Sequence, residues 1–511
     1  MLALASLFGA AVWAMPILAA PSELCWQSLP SATPGKEDQS LAETGIVLSA
    51  TGPNEVWLGW HEYGWTVARW TNGKWSDPPE PACAGMDKVW APAALAANVD
   101  AAFIAFKVAG QPQGSSALRI ARVGRTRCDW LGEPLMAGRA DYTHLQDVDM
   151  AIAGGQPVVV WSEEVGVHLG GLFAARWDGT AWKRLGMLQP RGDDYFLKPT
   201  VRSNGKGEVW VAWTEGGYAG TGRALRVARW AGTSWSDVGE KSLSEIVAQN
   251  GGQASTSSLA VDATGHAWVG WIAPVLELGR RRGRRLALAR WGGATWGYVS
   301  PPRGPAGKDG TLVGTPRIVL RNGSPIIAWS QADETENDHL FVAEWAGDAR
   351  WERRLSAMHL VAGVSRVLEL RLEAGDSNAI FVAWDERGDD DRRTRLIRAY
   401  DCPQGETPAA PPKAVVPRDT WPTTVDEAAR QIIGRLDEKS KDRLRKDEKK
   451  NLIRYHLGWG MGIRNSFGLW QGNTKLLESC GGGKPIHPDD CSMIIIEAVW
   501  ARVHGTDGGV P

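Results

Sequence analysis

An excess of positive charge is the first feature that this sequence lacks. Its 57 lysine and arginine residues face 58 aspartate and glutamate residues, so the formal net charge is -1, and both signs are interspersed along the chain. A protein that binds nucleic acid or an anionic membrane surface through general electrostatics needs a marked basic excess. The composition therefore argues against those partners, and we expect no nucleic-acid partner.

Long apolar runs are also scarce. Only residues 1–20 form a continuous apolar, uncharged run, which ends in small residues after Pro16. It predicts a secretory signal peptide, cleaved near Ala19 or Ala20, and hence a periplasmic or secreted protein. The run has no lysine or arginine, so one alternative is that translation begins at a different start codon. The other alternative is a retained membrane anchor, but the run is short and is interrupted by Pro16. Once the signal is removed, we expect no membrane span.

Common catalytic signatures are missing as well. The sequence has no nucleophile elbow, no phosphate-binding loop, no HExxH zinc motif and no dinucleotide fingerprint. These absences exclude only those chemistries. We expect no cofactor and favour a protein without catalysis of its own.

Tryptophan, by contrast, is abundant, with 28 residues against 7 tyrosines and 8 phenylalanines. The aromatic residues recur in a repeat of about fifty residues, clearest at 209–237. In each unit one strand ends in an aromatic residue before a polar loop, a second strand follows, and a turn rich in Gly, Asn and Asp leads to a further Trp. The residues that end the first of these strands are Trp60, Phe106, Trp161, Trp213, Trp271, Trp329 and Trp384.

A further apolar alternation precedes each unit, which gives four short strands per repeat, typical of a β-propeller blade. Seven such units indicate an all-β, seven-bladed β-propeller over residues 22–402. The seventh unit lacks its last strand, whereas residues 24–29 match that strand, with Trp26 in the position of Trp235. The sequence therefore predicts a propeller closed by its own N-terminal strand, which leaves no open blade edge.

Six cysteines in an exported chain indicate disulfides, for which fifteen pairings exist. Closure of the propeller would bring Cys25 opposite Cys402. Cys480 and Cys491 are assigned to a second bond. Cys83 and Cys128 then pair by exclusion, although strand order puts them toward opposite ends of their blades. The alternative for the C-terminal pair is a metal site with His456 and His487, but the spacings match no common zinc finger, and no metal is expected.

The composition changes after Cys402. Residues 403–421 are rich in Pro and Ala and predict an extended linker. A helical domain follows at 422–505. Thr424 and Glu427 form a capping box at its first helix, a second helix is predicted over 449–465, and a third over 488–503 with acidic residues in its first turn.

A glutamate follows the strand-ending aromatic residue by two positions in four of the seven blades. The members of this set, with a glutamine in a fifth blade, are Glu62, Glu163, Glu215, Gln331 and Glu386. One interpretation is a polar ring on one face of the propeller, suited to a cation, an amine or sugar hydroxyls. The other is that the residue belongs to the repeat and bonds its own blade. Periodic tryptophans likewise suit sugar stacking or, more commonly, packing between blades.

The turn of type ARWDGTAW resembles the repeat of bacterial exported propellers and, more distantly, the Asp-box of sialidases. Only Trp177-Asp178-Gly179 keeps the aspartate, and no turn keeps the serine of that box. A sialidase would also need three arginines and a Tyr/Glu nucleophile pair, which the sequence does not place. The resemblance therefore implies the fold and not the activity.

The C-terminal segment resembles a small bacterial domain family of unknown function. The resemblance rests on YHLGWGMGIRNSFGLWQGN at 455–473 and HPDDCSMIII at 487–496. We expect Arg464 and Asn465 to meet Asp489 and Asp490 in a charge-assisted network. With His456 and His487, this network is either a second ligand surface or a buried structural clasp.

Together these features favour an exported, non-catalytic binding or scaffold protein, whose partner is an unknown protein or glycan. The alternative is a carbohydrate-active propeller, either a lectin or a sialidase-like glycoside hydrolase, which would need two suitably spaced carboxylates.

Overall fold

The computed structural model describes residues 24–30, 46–61, 65–76, 83, 92–110, 115–136, 143–165, 169–188, 195–216, 224–277, 280–302, 312–332, 338–347, 350–358, 366–375, 379–387, 392–402, 421–435, 441, 444–455, 460, 463–464, 467–469 and 473–505. The predicted signal peptide and nearly all of the predicted linker lie outside them.

The propeller is built as predicted, from seven four-stranded antiparallel sheets. The closing strand is β1 (Leu24–Ser28). The first three blades are β2 (Ile46–Gly52), β3 (Glu55–His61), β4 (Trp65–Thr71) and β5 (Lys74–Trp75); β6 (Pro92–Ala97), β7 (Ala102–Ala109), β8 (Ser116–Val123) and β9 (Cys128–Trp130); and β10 (Thr143–Ala153), β11 (Gln156–Val165), β12 (Leu169–Trp177) and β13 (Trp182–Leu188).

The other four blades follow in chain order. They are β14 (Tyr195–Ser203), β15 (Val209–Gly216), β16 (Ala224–Trp230) and β17 (Trp235–Asp237); β18 (Ser255–Val261), β19 (Ala267–Glu277), β20 (Arg280–Trp291) and β21 (Trp296–Val299); β22 (Leu312–Arg321), β23 (Ser324–Ala332), β24 (Asp338–Trp345) and β25 (Trp351–Met358); and β26 (Arg366–Ala374), β27 (Ile380–Arg387) and β28 (Arg392–Asp401) with β1. Helix α1 (Glu240–Gln249), which the sequence analysis did not predict, lies between the fourth and fifth blades.

The apolar core lies between neighbouring blades. The second strand of a blade is buried on both faces, as the continuous apolar run VWVAW of β15 requires. One cluster joins Trp210 and Ala212 of the fourth blade to Trp271 and Ala287 of the fifth. Each blade is thus stabilised mainly by its neighbours, as in other repeat proteins.

The tryptophan of the outer strand links its blade to the preceding one. In five blades the indole nitrogen of this tryptophan donates a hydrogen bond to a backbone carbonyl of the preceding blade. That carbonyl lies in the outer strand or just after it. The pairs are Trp75 to Pro30 at 2.8 Å, Trp182 to Leu131 at 2.8 Å, Trp235 to Leu185 at 2.8 Å, Trp296 to Val238 at 2.7 Å and Trp351 to Ser300 at 2.8 Å. Packing between blades therefore accounts for these periodic tryptophans.

A glycine beside the accepting carbonyl makes room for this contact. Gly239 follows Val238, has φ 60°, and a Cβ at its position would lie 2.3 Å from the Trp291 ring and 2.7 Å from Trp296. Gly132, which follows Leu131, has φ 61° and faces the equivalent tryptophan pair of the third blade. Both the left-handed backbone and the close approach therefore favour glycine.

The N-terminal strand closes the propeller, as the sequence predicts. Strand β1 pairs antiparallel with β28, with Leu24 opposite Asp401, and Cys25 is bonded to Cys402. Beside this bond, the guanidinium of Arg321 on β22 contacts the Asp401 carboxylate and lies 2.8 Å from Glu344 on β24. Blades six and seven are therefore joined next to the closure.

The other two predicted disulfides are also present. Cys83 is bonded to Cys128, and Cys480 to Cys491. Strand order was expected to place Cys83 and Cys128 toward opposite ends of their blades. Cys83 instead lies in the segment between β5 and β6, and it is bonded to Cys128 at the start of β9. Among the described residues no group of three or more His, Cys, Asp and Glu side chains is arranged to hold a metal.

The C-terminal helices are α2 (Val425–Arg435), a 3₁₀ helix (Lys449–Tyr455), α3 (Thr474–Cys480) and α4 (Pro488–Val503). Helices α2 and α4 begin where the sequence predicts. At the start of α2 the Glu427 amide donates to the Thr424 hydroxyl at 3.1 Å, but the Glu427 carboxylate accepts from Thr423 instead of Thr424. The second predicted helix begins as a 3₁₀ turn, and α3 was not predicted.

Among the described helices, none is both long and apolar enough to cross a membrane.

Candidate functional site

The innermost strands of the seven blades surround a central channel, and it is the candidate site. Their side chains line a cavity of about 820 Å³, within the range of typical small-molecule sites. The alternation of a strand explains the lining: in β26, Leu370 and Leu372 are buried in the core, whereas Glu369, Arg371 and Glu373 line the channel.

The channel holds nine charged side chains, five basic and four acidic. They are Lys107, Lys198, Arg202, Arg317 and Arg371, and Asp147, Asp149, Glu369 and Glu373. Six of them form three ion pairs: Lys198 with Asp147 at 3.5 Å, Arg202 with Asp149 at 3.2 Å, and Arg371 with Glu369 at 2.8 Å. Most of the charge on the wall is therefore compensated locally.

Two of these acids also fasten neighbouring blades together. Asp147 on β10 accepts a hydrogen bond from the Lys198 amide of β14 at 3.1 Å, and Asp149 accepts one from the Val201 amide at 2.8 Å. Lys198 has φ 54°. These carboxylates are thus held by backbone as well as side-chain donors, which fixes them as part of the wall.

Arg317 differs from the other two channel arginines. Its Nε donates to the carbonyl oxygen of Leu370 at 2.9 Å, and among the described residues no carboxylate lies within ion-pair distance of its guanidinium. Burial, followed by the like charge of Arg371, lowers its pKa to about 10. The terminal nitrogens of Arg317 therefore remain available to a ligand in the channel.

Glu373 is the acidic counterpart of this arrangement. No described residue donates a hydrogen bond to its carboxylate or forms an ion pair with it. Burial raises its pKa, and the charge of Asp149 acts in the same direction, whereas Arg202, Arg317 and Arg371 oppose the shift. An acid with a raised pKa inside a cavity is a common feature of functional sites.

Lys107 also lines the channel. Its ammonium group donates to the carbonyl oxygen of Leu145 at 3.1 Å and to that of Gln146. Burial lowers its pKa, against the effect of Asp147. Unlike Arg317, it is already occupied by backbone acceptors.

The two described glutamates of the predicted polar ring lie inside the protein. Glu163 accepts a hydrogen bond from the Trp161 indole at 2.6 Å, and Glu215 accepts one from Trp213 at 3.2 Å. Glu215 also accepts from Arg226 at 2.5 Å. Each carboxylate therefore has a partner within its own blade, in accord with a role in the repeat, and neither lines the channel.

The glutamine and the remaining glutamates complete this set. The Trp329 indole lies 3.4 Å from the Gln331 side-chain oxygen, so the spacing of two residues gives the same contact in the sixth blade. Glu62 lies outside the described residues. The backbone of Glu386 pairs with Val367, and its side chain lies outside the described part.

The C-terminal network forms in part. Arg464, which is buried, bonds Asp489 through Nε at 3.1 Å and the Ser492 hydroxyl through Nη1 at 2.8 Å. The Ser492 hydroxyl donates to the Asp489 carbonyl at 2.7 Å, which ties the arginine to the first turn of α4. Asp490 is exposed, and no contact joins it to Arg464 or Ser492 in the described part of this network.

Of the two predicted histidines, His487 is described and is exposed at the start of α4. Its Nδ1 accepts a hydrogen bond from the Asp489 amide at 3.3 Å and caps the helix. His456 and Asn465 lie outside the described residues.

The channel site was not predicted from the sequence. Arg317 and Glu373 belong to inner strands that were treated only as apolar alternations. A signal was present in Glu369-Leu370-Arg371-Leu372-Glu373, where charged residues alternate with leucine. On the innermost strand of a propeller, that pattern directs the charges into the channel.

Comparison with known proteins gives a family match for the C-terminal segment and similar solved structures. Residues 421–503 match the family described as Domain of unknown function (DUF6794). No curated protein matches the chain. Several solved structures are similar at low identity, and three represent them.

The polysaccharide lyase Uly1 is 10% identical, with a TM-score of 0.46, and the match covers 72% of this chain and 93% of that one. A protein of unknown function from Dyadobacter fermentans is 9% identical, with a TM-score of 0.40, over 74% and 98% of the two chains. The α-L-arabinanase of Penicillium chrysogenum is 10% identical, with a TM-score of 0.37, over 75% and 98%. At these scores the likenesses carry no argument about activity. The chain is therefore a seven-bladed β-propeller followed by a segment that matches a domain family of unknown function.

Proposed function

We propose that this protein is an exported, non-catalytic binding module that takes a small polar ligand into its central channel. The observation that carries the proposal is the state of Arg317. Its guanidinium lies in a cavity of about 820 Å³, yet only its Nε has a partner in the described part of the protein. The proposal places the ligand in the channel, in addition to the propeller face around Glu62, Glu163, Glu215 and Glu386 that the sequence predicts as a ligand surface.

The guanidinium of Arg317 is half-buried and has no carboxylate partner among the described residues, so it loses part of its hydration without gaining an opposite charge. The neighbouring arginines, Arg202 and Arg371, each have a carboxylate. A ligand that bonds the terminal nitrogens of Arg317 would supply the missing partner. The rigid inner strands would hold the guanidinium in place before the ligand arrives, which limits the entropy lost on binding.

Export is supported by the three disulfides, since such bonds persist in oxidising compartments. It agrees with the signal peptide predicted over residues 1–20. The helical domain, with Arg464, His487 and Asp489, is retained as a second candidate surface. A protein or glycan partner there is a prediction from the sequence.

The test is a binding screen on the mature protein by native mass spectrometry, with mono- and oligosaccharides, sugar acids and small metabolites. Thr315→Trp fills the channel, because Thr315 lines it. Val99→Trp is the matched control, because Val99 is 61% exposed and lies outside the channel. We expect ligands that bind the wild type and the control but not Thr315→Trp. Binding that survives in both variants would contradict the channel as the site.

Glu373 favours a second candidate function, a glycoside hydrolase that uses the channel. Hydrolases of this kind need one carboxylic acid with a raised pKa, and burial raises the pKa of Glu373. In that case Glu373→Gln would abolish product formation while leaving substrate binding intact. Ligands that are recovered unchanged after long incubation would argue for the non-catalytic function.

A further inference from the structure

We propose that the channel recognises a carboxylate group, with Arg317 as its charged partner and Glu373, which lines the same channel, as a second polar contact. The inference rests on the proposed function and adds the chemical class of the ligand. It assigns the recognition to two residues for which the described part of the chain offers no ion-pair partner.

The position of Arg317 suits a planar anion. Because Nε is bonded to Leu370 at 2.9 Å, the guanidinium plane is fixed and its two terminal nitrogens remain for the ligand. Those nitrogens present parallel N–H groups, which match the two oxygens of a carboxylate. A lysine at this position would offer a point charge without that geometry.

The other cations of the channel are less available. Arg202 bonds Asp149 at 3.2 Å, and Arg371 bonds Glu369 at 2.8 Å. Lys198 lies 3.5 Å from Asp147, and Lys107 is bonded to backbone carbonyls. An anion at any of them would have to displace an existing partner, whereas at Arg317 it would not.

Glu373 supports the same choice. Four charged groups of the channel act on its carboxyl: Asp149 of β10, Arg202 of β14, Arg317 of β22 and Arg371 of β26. Burial outweighs the three arginines and raises the pKa of Glu373. In its neutral form the carboxylic acid carries an O–H that can donate to a carboxylate oxygen, as the ionised form cannot.

The channel carries a net positive charge, which favours an anionic ligand. Its five basic side chains face four acidic ones, and the excess rises from one positive charge to two when Glu373 is neutral. Three of the cations are paired with Asp147, Asp149 and Glu369, and Lys107 is bonded to backbone carbonyls. Among the described residues of the channel this leaves Arg317 for an anionic group, and phosphate is tested beside the sugar acids for that reason.

Hydroxyl-bearing acids are the appropriate probes. Ser257 lies on the channel wall, is 2% exposed, and its hydroxyl has no hydrogen-bond partner among the described residues. A sugar acid combines a carboxylate with hydroxyls that such a group can bond. D-glucuronate and D-galacturonate, with the neutral sugars D-glucose and D-galactose, therefore form matched pairs that differ in the carboxylate.

The experiment is isothermal titration calorimetry of the full mature chain with these four sugars and inorganic phosphate. The variants are Arg317→Gln, Glu373→Gln and the control Arg127→Gln. The control removes an arginine whose side chain is 71% exposed and does not line the channel. We expect each sugar acid to bind at least about tenfold more tightly than its neutral partner, since a charge-assisted bidentate contact is worth that much. Arg317→Gln should remove this preference, and Arg127→Gln should keep it.

Glu373→Gln provides the second arm, because glutamine keeps a hydrogen-bond donor at every pH. For the wild type we expect sugar-acid affinity to fall as the pH rises and Glu373 ionises. For Glu373→Gln we expect wild-type affinity or better, with that pH dependence lost. If Arg317→Gln fails to fold, the pH profiles of the wild type and Glu373→Gln still test the inference.

The outcomes separate the two proposals. Equal binding of acids and neutral sugars, blocked by Thr315→Trp, would overturn the carboxylate class and leave channel binding in place. Preference for phosphate would overturn it as well. The carboxylate class would also be overturned if none of the four sugars binds and another uncharged compound in the screen binds in the channel. No channel-dependent ligand of any kind would overturn both.

Discussion

The indole nitrogen of Trp161 donates a hydrogen bond of 2.6 Å to the carboxylate of Glu163, two residues further along the same strand, and both side chains are fully buried. A spacing of two places both residues on the same face of β11. Trp213 and Glu215 repeat the contact in the next blade. In the Trp-x-Glu pattern, the glutamate thus supplies a hydrogen-bond acceptor for a buried indole N–H that water cannot reach.

This relationship predicts the effect of two substitutions at Glu163. Glu163→Gln keeps an oxygen that can accept from the indole, whereas Glu163→Leu leaves the buried N–H without a partner. We expect the leucine variant to lose about 1–3 kcal/mol of unfolding free energy, and the glutamine variant less. Denaturant titration measures both values. Equal losses would mean that the indole contact is not the main contribution.

The fold could be read from the sequence because each blade repeats its aromatic residues. Trp60, Trp213 and Trp384 mark equivalent strand ends, and the missing fourth strand of the last blade identifies residues 24–29 as the closure. The pairing of Cys25 with Cys402 follows from that closure. Helix α1 was missed because it interrupts the repeat only once.

The channel site could not be read in the same way. Arg317 is distinctive only because its neighbours leave it without a carboxylate, and no one-dimensional pattern reports that. The prominent glutamates Glu163 and Glu215 misdirect attention, since their regular spacing reflects the demand of a buried indole. A polar residue that recurs with the repeat is therefore weak evidence for a ligand site. A charged residue in a channel with no ion-pair partner among its neighbours is better evidence.

The closing disulfide should stabilise the protein more than the C-terminal one. Cys25 and Cys402 are 377 residues apart, whereas Cys480 and Cys491 are 11 apart. By loop-closure entropy the two bonds are worth about 6 and about 3 kcal/mol. We expect the serine double variant at 25 and 402 to show the larger fall in the temperature of propeller unfolding, measured by calorimetry. A larger effect of the serine double variant at 480 and 491 on the propeller would contradict this order.

Breaking the buried contact next to the closure should be costly. Arg321 is 2% exposed and lies 2.8 Å from Glu344, which is also buried. Arg321→Met removes a charged partner from the buried Glu344 carboxylate, and we expect a loss of about 3–5 kcal/mol. Adding Glu344→Leu should recover part of this loss, because both buried charges are then absent. A double variant that is less stable than either single one would refute the interpretation.

The titration of Glu373 predicts a pH dependence of stability. Burial raises its pKa above the ordinary value of 4.5, which applies in the unfolded chain. Between the two values the folded protein binds more protons, so the unfolding free energy falls as the pH rises through this window. Glu373→Gln cannot ionise and avoids that loss. We expect its melting temperature to exceed that of the wild type near about pH 8 and the gap to close near about pH 4.

Glu133→Gln is the control for this experiment, because Glu133 is exposed. It should shift the melting temperature little at either pH. A wild type that is more stable than Glu373→Gln at the higher pH would mean that the arginines hold the ionised form, against the direction given by burial.

Two glycines in the helical domain should respond to alanine in opposite directions. Alanine favours a helix over glycine by up to about 1 kcal/mol, and a Cβ at Gly434 in α2 would meet nothing within 4 Å. A Cβ at Gly460 would lie 3.0 Å from Arg464 Nη1 and 3.3 Å from the Ser492 hydroxyl, the two atoms joined by a 2.8 Å hydrogen bond.

We therefore expect Gly434→Ala to raise the unfolding temperature of the helical domain and Gly460→Ala to lower it. The fall should shrink when Ser492→Ala is added, because the crowded hydrogen bond is then already lost. Calorimetry on the full chain measures all three variants. If Gly460→Ala stabilised the domain instead, the Arg464 side chain would be able to move away from the new Cβ without loss of stability, and the predicted clash would be wrong.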